Sequence, residues 1–193
     1  MSNILTQHDL DSYGEHGYLH LKNVLPEDLL LLAQRVIEPW VESTIDQWKE
    51  RDLLTDWDET SAPEFSRRFL SAWEAAGRPH FRRSPFRNLF KEETYRLFKH
   101  PTLLALAEKL VGTSEVSLHG AFNYRAGLPQ THLTQTPCHQ DCQYAWDYGE
   151  DPKEAQYRHI TTFWFPLQKV DKNSGCLQFM SLKDTEGKLF DPY

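Results

Sequence analysis

The chain has 193 residues, of which 39% are hydrophobic and 25% charged, and its formal net charge is −7 at pH 7. This composition is typical of a globular domain and excludes disordered, collagen-like and low-complexity chains. No segment approaches the ~18 consecutive apolar residues that a membrane span requires. The acidic balance argues against a nucleic-acid partner, because such proteins supply clustered Lys and Arg to the phosphates.

The cysteines and the chain ends indicate a reducing compartment. Cys138, Cys142 and Cys176 are odd in number, which favours free thiols. The first residues lack the basic and apolar regions of a secretory signal, and the Tyr193 end is not a peroxisomal address. We therefore expect a cytoplasmic protein. No second ligand pair at zinc-finger spacing accompanies Cys138 and Cys142, and the oligomeric state is not readable from the sequence.

Residues 1–112 carry helix signals. Thr6 and Asp9 form the pattern of a capping box, and Gly17 is suited to end that first helix. A short extended piece follows at 18–21. Pro26 and the two acids after it predict the start of a second helix, which Pro39 is expected to end or kink.

Two further helices are predicted in this part of the chain, at 63–77 and 101–112. Each has apolar residues at helical spacing, so each should pack one face against a core. The two apolar stripes are Phe65, Phe69, Leu70 and Trp73 in the first helix, and Leu103, Leu106, Ala107 and Leu110 in the second.

Residues 113–193 read as strands separated by turns. Aromatic and β-branched residues are enriched in four segments, and Gly, Pro and Asn mark the turns between them. The order of helices first and strands later predicts an α+β fold, in which 1–112 buttress a sheet or barrel and 1–193 form one domain. The predicted strands are 115–125, 134–142, 159–168 and 176–181, and the predicted turns are 126–129, 148–152 and 172–175.

His139 and Asp141 form the candidate metal site. Two histidines and one carboxylate on one face satisfy Fe(II) and leave the opposite face for substrate and dioxygen. A strand places residues i and i+2 on the same side, so both side chains can reach one metal ion. Nine histidines and 28 acidic residues also produce such a triplet by chance. The alternative is a pair of polar residues on a half-exposed strand.

Several segments taken together resemble the phytanoyl-CoA dioxygenase family. The opening YGEHGYLHLKNVLPED (13–28) is similar to the family's entry, and HPTLLALAEKLVG (100–112) to its last helix before the barrel. TPCHQD (136–141) resembles its metal motif, with Cys138 where an aromatic residue is usual. ITTFWFPL (160–167) and DKNSGCLQ (171–178) resemble the next strand and turn. The order and spacing of these segments agree with the family over nearly the whole chain.

The resemblance implies a fold, a cofactor and a reaction. The fold would be a double-stranded β-helix, a jelly-roll barrel of the cupin kind, with buttressing N-terminal helices. His139 and Asp141 would be the first two iron(II) ligands. With 2-oxoglutarate and O2 as co-substrates, the enzyme would hydroxylate a small organic substrate and release succinate and carbon dioxide.

The resemblance also assigns two residues to the co-substrate. Trp164 stands where the family places an aromatic ring beside 2-oxoglutarate; the alternative is a tryptophan of the core. Asn123 lies on a strand whose inward positions meet co-substrate or substrate. Three arginines have two possible roles: one of them is directed toward the carboxylates of 2-oxoglutarate, or all three form a solvated basic face. They are Arg82, Arg83 and Arg87.

One departure from the family concerns its third ligand, a distal histidine that an arginine follows. Residues 181–193 contain neither His nor Arg, and the last barrel strands are absent from them. We expect either a part of a longer polypeptide or a truncated relative with an incomplete site. His119, His132 and His159 are each either a substitute ligand or a surface residue. Two alternative functions remain: a catalytically incomplete relative that acts by binding, and a cupin-like metalloprotein of other chemistry.

Overall fold

The structure, a computed structural model, describes residues 4–62, 64–81, 91–117, 124–129, 131–132, 138–139 and 161–185. None of the helices in these ranges is long and apolar enough to cross a membrane. A 3-10 turn at Glu59–Ser61 precedes α3. The α-helices are α1 (Gln7–His16), α2 (Glu27–Glu50), α3 (Phe65–Ala75), α4 (Glu92–Phe98), α5 (Pro101–Val111) and α6 (Leu182–Thr185).

Helix α1 begins and ends as its sequence predicts. The Thr6 hydroxyl accepts a hydrogen bond from the Asp9 amide at 3.2 Å, and the Asp9 carboxylate accepts one from the Thr6 amide at 2.8 Å. Gly17 ends the helix in the left-handed region, at φ 76°, with its N–H donated to the Tyr13 carbonyl. The predicted capping box and stop are therefore confirmed.

Helix α2 does not end at Pro39, so of the two predicted outcomes, an end or a kink, the end is wrong. The helix continues to Glu50 with Pro39 inside it. Proline removes one backbone hydrogen bond and costs about 3 kcal/mol in a helix interior. Burial on both sides of Pro39 outweighs this cost, because one continuous stripe faces the core. The stripe comprises Leu29, Ala33, Val36, Ile37, Val41, Thr44, Ile45 and Trp48.

An aromatic cluster joins α2 to α3. The Phe69 ring stacks on Trp40 at 5.0 Å between centroids, and Phe81 meets Phe69 edge-on at 5.2 Å. Trp48 and Trp73 are almost fully buried in the same cluster. Such pairs add about 0.5–1.5 kcal/mol each beyond the burial of their area. The predicted stripe of α3 therefore packs as expected.

Helices α4 and α5 differ in how well the sequence indicates them. The prediction at 101–112 is confirmed by α5, which Gly112 ends at φ 79°. Helix α4 was not predicted, because only Thr94 and Leu97 of its seven residues are buried. Leu97 packs with the first turns of the α2 stripe, so α4 depends on a tertiary contact more than on a pattern of its own.

The strand predictions are not matched in the ranges that the structure describes. Residues 161–168 and 176–181 have no regular secondary structure. A strand exists only with a hydrogen-bonded partner, and these two segments do not pair with each other. Burial nonetheless alternates along 164–168, where Phe165 and Leu167 are half-buried and the other residues are exposed; Phe163, before them, is also exposed. Most of the predicted strands 115–125 and 134–142 lies outside the described residues.

We predict that an alanine at Gly17 destabilises the protein more than an alanine at Gly112. Both glycines have a positive φ, so either substitution should lower the free energy of unfolding by about 1–2 kcal/mol. At Gly17 the added methyl would also lie 2.6 Å from Leu182 Cγ, whereas nothing lies within 4 Å at Gly112. Urea unfolding of Gly17→Ala and Gly112→Ala measures the difference.

In a Leu182→Ala background the clashing side chain is absent. There, Gly17→Ala should lower the free energy of unfolding by no more than Gly112→Ala does. Equal losses at the two glycines would contradict the contact between Gly17 and α6.

Candidate functional site

Helices α1 and α2 hold the segment 161–168, which carries the predicted co-substrate residue. The Tyr13 hydroxyl lies 3.4 Å from the Thr161 hydroxyl, and the Gln34 side-chain amide donates to the Leu167 carbonyl at 3.2 Å. Phe165 packs on the cluster around the start of α2, and Leu167 contacts both core clusters. One side of this segment is therefore fixed to the helices.

Trp164 lies between these anchored positions and is 42% exposed. Its neighbours Phe165 and Leu167 are half-buried against α2, and the even-numbered positions 162–168 are exposed. Alternation along an extended chain accounts for this difference. The exposure does not fit a tryptophan of the core.

His139 and Cys138 are both exposed. Asp141 and Asn123, which are also predicted to belong to the site, lie outside the described residues. No group of three or more metal-binding side chains occurs in the part of the chain that the structure describes. Binding of one metal ion by His139 and Asp141 therefore stays a prediction.

Six further residues are candidates for the site, and the structure describes one of them. His132 is described, and its side chain is exposed. The other candidates lie outside the described ranges; they are His119, His159, Arg82, Arg83 and Arg87. The chemistry of the predicted donors, one imidazole and one carboxylate, fits iron(II).

The predicted turn at 172–175 is confirmed and is organised by Asp171. Its carboxylate accepts hydrogen bonds from the Asn173 amide at 2.8 Å and from the Ser174 amide at 3.1 Å. Gly175 completes the turn at φ 78°. The bond from the Asn173 amide, together with that from the Ser174 hydroxyl, lowers the pKa of the Asp171 carboxyl.

The loop at 126–129 packs closely against this turn. A Cβ at Gly127 would lie 3.0 Å from the Ser174 carbonyl oxygen, a distance at which one of the two backbones must move. Ala126 is buried in the same cluster as α2 and α3. The loop therefore connects the turn that follows 161–168 to the helical core.

Tyr124 marks where the chain before this loop meets α2. Its ring lies edge-on to Trp40 at 5.3 Å between centroids. Burial raises the pKa of the Tyr124 hydroxyl to about 12, because the phenolate loses hydration. Tyr124 is therefore neutral at physiological pH and packs as part of the core.

A contact between α1 and the segment 179–185 was missed by sequence reasoning. His16 Nδ1 lies 2.9 Å from the Ser181 hydroxyl, and Lys183 Nζ donates to the Glu15 carboxylate at 2.8 Å. This hydrogen bond and the lysine charge lower the pKa of Glu15. Tyr18 stacks on Phe179 at 5.0 Å. The partners are about 165 residues apart, so no local pattern indicates them.

Comparison with known proteins gives one family. The family model described as "Phytanoyl-CoA dioxygenase (PhyH)" matches residues 13–181. The match covers most of the chain and includes His139, Asp141, Asn123 and Trp164. No curated protein sequence and no solved structure matches the chain.

We predict that the turn at Asp171 loosens in acid. Because its pKa is lowered in the fold, the stabilisation is complete above the usual value of 3.8 and is lost as pH falls through the lowered value. In an NMR titration, the amide shifts of Asn173 and Ser174 should move together with a midpoint below 3.8. Asp171→Asn should abolish that transition. A midpoint at or above 3.8 would contradict the hydrogen-bonded carboxylate.

Proposed function

Because the chain belongs to the phytanoyl-CoA dioxygenase family, we propose that it is an iron(II)- and 2-oxoglutarate-dependent dioxygenase that hydroxylates a small organic substrate. Members of this family are generally dioxygenases that depend on iron(II) and 2-oxoglutarate, and they have a cupin-like jelly-roll fold. The observation that carries the proposal is the family match over 13–181, which includes the H-x-D triplet. We further propose one domain over 1–193, in which residues 113–193 contribute to the barrel, and a cytoplasmic location.

His139 and Asp141 are proposed to hold the iron. The metal and 2-oxoglutarate together supply the oxidising power for hydroxylation of a C–H bond. The imidazole of His139 must be neutral to donate a lone pair, and the carboxylate of Asp141 offsets part of the metal charge. The match of the family model across both residues supports this role.

Trp164 and Asn123 are proposed to contact the co-substrate. The Trp164 ring lies on the side of 161–168 away from α2, where a ring can form one wall of a site. Its role would be to exclude water and orient the carboxylates through its flat face and indole N–H. Anchoring of Thr161 and Leu167 on the helices keeps the position of the ring fixed.

We predict that His139→Ala removes iron binding and turnover. Loss of residues that merely support metal ligands costs about 10–100-fold in affinity or activity, so loss of a ligand should exceed that range. Iron(II) uptake under anaerobic conditions and succinate release from 2-oxoglutarate are the two measurements. His8→Ala is the matched control, because His8 is also an exposed histidine but lies on α1, away from the predicted ligands.

The two measurements together separate the candidate functions. Iron uptake with 2-oxoglutarate turnover, both lost in His139→Ala, is the expected result. Iron uptake without turnover would indicate the catalytically incomplete relative, and zinc uptake without turnover would indicate a cupin-like metalloprotein of other chemistry. Equal effects of the His139 and His8 substitutions would contradict the assigned ligand.

We predict that Trp164→Ala raises the KM for 2-oxoglutarate about tenfold, which corresponds to about 1.4 kcal/mol, while iron affinity stays unchanged. The reason is that the ring contacts the co-substrate and not the metal. The matched control is Gln168→Ala, because Gln168 is also exposed and lies four residues further along the same side of the segment. An unchanged KM in Trp164→Ala would refute the co-substrate role.

A further inference from the structure

A cleft of about 180 Å³ lies between the middle of α2 and the start of α4. A cavity of about 150 Å³ holds a molecule the size of benzene, so about six heavy atoms fit here. None of the described residues around it belongs to the proposed iron site. The cleft is lined by Arg35, Val36, Pro39, Lys91, Glu93 and Thr94.

Thr94 supplies a buried hydroxyl at this cleft. The residue is only 6% exposed. Its side chain makes no hydrogen bond within the described part of the chain. A buried hydroxyl without a partner is costly, and such groups in native structures are normally satisfied. A polar ligand in the cleft would satisfy this one.

Pro39 lies on the opposite side of the cleft, where the backbone bonding of α2 is interrupted. In an α-helix the carbonyl of Arg35 would accept a hydrogen bond from the N–H of residue 39, and proline has none. Arg35 and Pro39 both line the cleft, so the proline ring forms part of its wall. The cleft therefore combines the buried Thr94 hydroxyl with an apolar wall on the side of α2.

Three charged side chains also line the cleft without neutralising one another. Arg35, Lys91 and Glu93 form no ion pair with any residue that the structure describes. Arg68, in contrast, is held by Glu42 through two hydrogen bonds of 2.6 and 2.7 Å. Two cations and one carboxylate suit a ligand that carries one carboxylate next to a hydrogen-bond donor.

We propose that this cleft binds a small carboxylate with an adjacent donor group, the chemistry that amino acids and hydroxy acids share. The carboxylate lies between Arg35 and Lys91 and accepts a hydrogen bond from the Thr94 hydroxyl. The ammonium or hydroxyl group of the ligand donates to the Glu93 carboxylate. This site is separate from the proposed iron centre, and its occupation does not depend on iron.

Methyl NMR of the whole chain tests the proposal, with the Val36 and Thr94 methyl groups as reporters. Glycine and glycolate distinguish the two sources of the ligand chemistry, and acetate lacks the donor. The expected result is saturable movement of these methyl signals with glycine or glycolate, and affinity for acetate at least about tenfold lower. No saturable movement with either ligand, or equal affinity for acetate, would overturn the proposal.

Two variants and one control sharpen the test. Arg35→Gln should weaken binding roughly tenfold because it removes a charge-assisted contact, whereas Arg67→Gln, an exposed arginine on α3, should leave it unchanged. Thr94→Val should weaken binding yet raise the Tm of the ligand-free protein by about 2 °C, because it removes an unpaired buried hydroxyl. Unaltered binding in Arg35→Gln, or a lower Tm in ligand-free Thr94→Val, would overturn the proposal.

Discussion

The buried stripe of α2 is the contact surface on which the described part of the molecule depends. Its first turns pack against Leu97 of α4, and its second half packs against the aromatic residues of α3. Trp40 contacts Tyr124, and Gln34 holds the carbonyl of Leu167, so the later part of the chain rests on the same helix. This shared surface explains why a proline is tolerated within α2: ending the helix there would separate the two clusters.

The same surface gives the proposed site its orientation. Because Phe165 and Leu167 face α2, the alternation of an extended chain turns Trp164 away from the helices. The turn at Asp171 and the loop at Gly127 then pack on each other just beyond this segment. In the proposed enzyme, the helical part is thus a support for one wall of the site, and the reactive groups lie on the side of that wall away from α2.

The features that could be predicted from the sequence are those with local causes. The capping box of Thr6 and Asp9, the left-handed Gly17 and the turn at 172–175 each depend on residues a few positions apart. Helix α4, the continuation of α2 through Pro39 and the contact of His16 with Ser181 depend on distant partners, and so they were missed. For the site, sequence reasoning identifies donor chemistry in His139 and Asp141. It does not predict how close these two side chains lie to each other, because their distance depends on how the strands pair and not on residue type.

The position of the metal tests the central claim most directly. Crystals of the protein grown without oxygen, with Mn(II) in place of iron, would locate the ion by its anomalous scattering. The account predicts one peak bonded to the His139 imidazole and the Asp141 carboxylate, at about 2.0–2.3 Å from each donor atom. A peak at other side chains, or none at this pair, would contradict it.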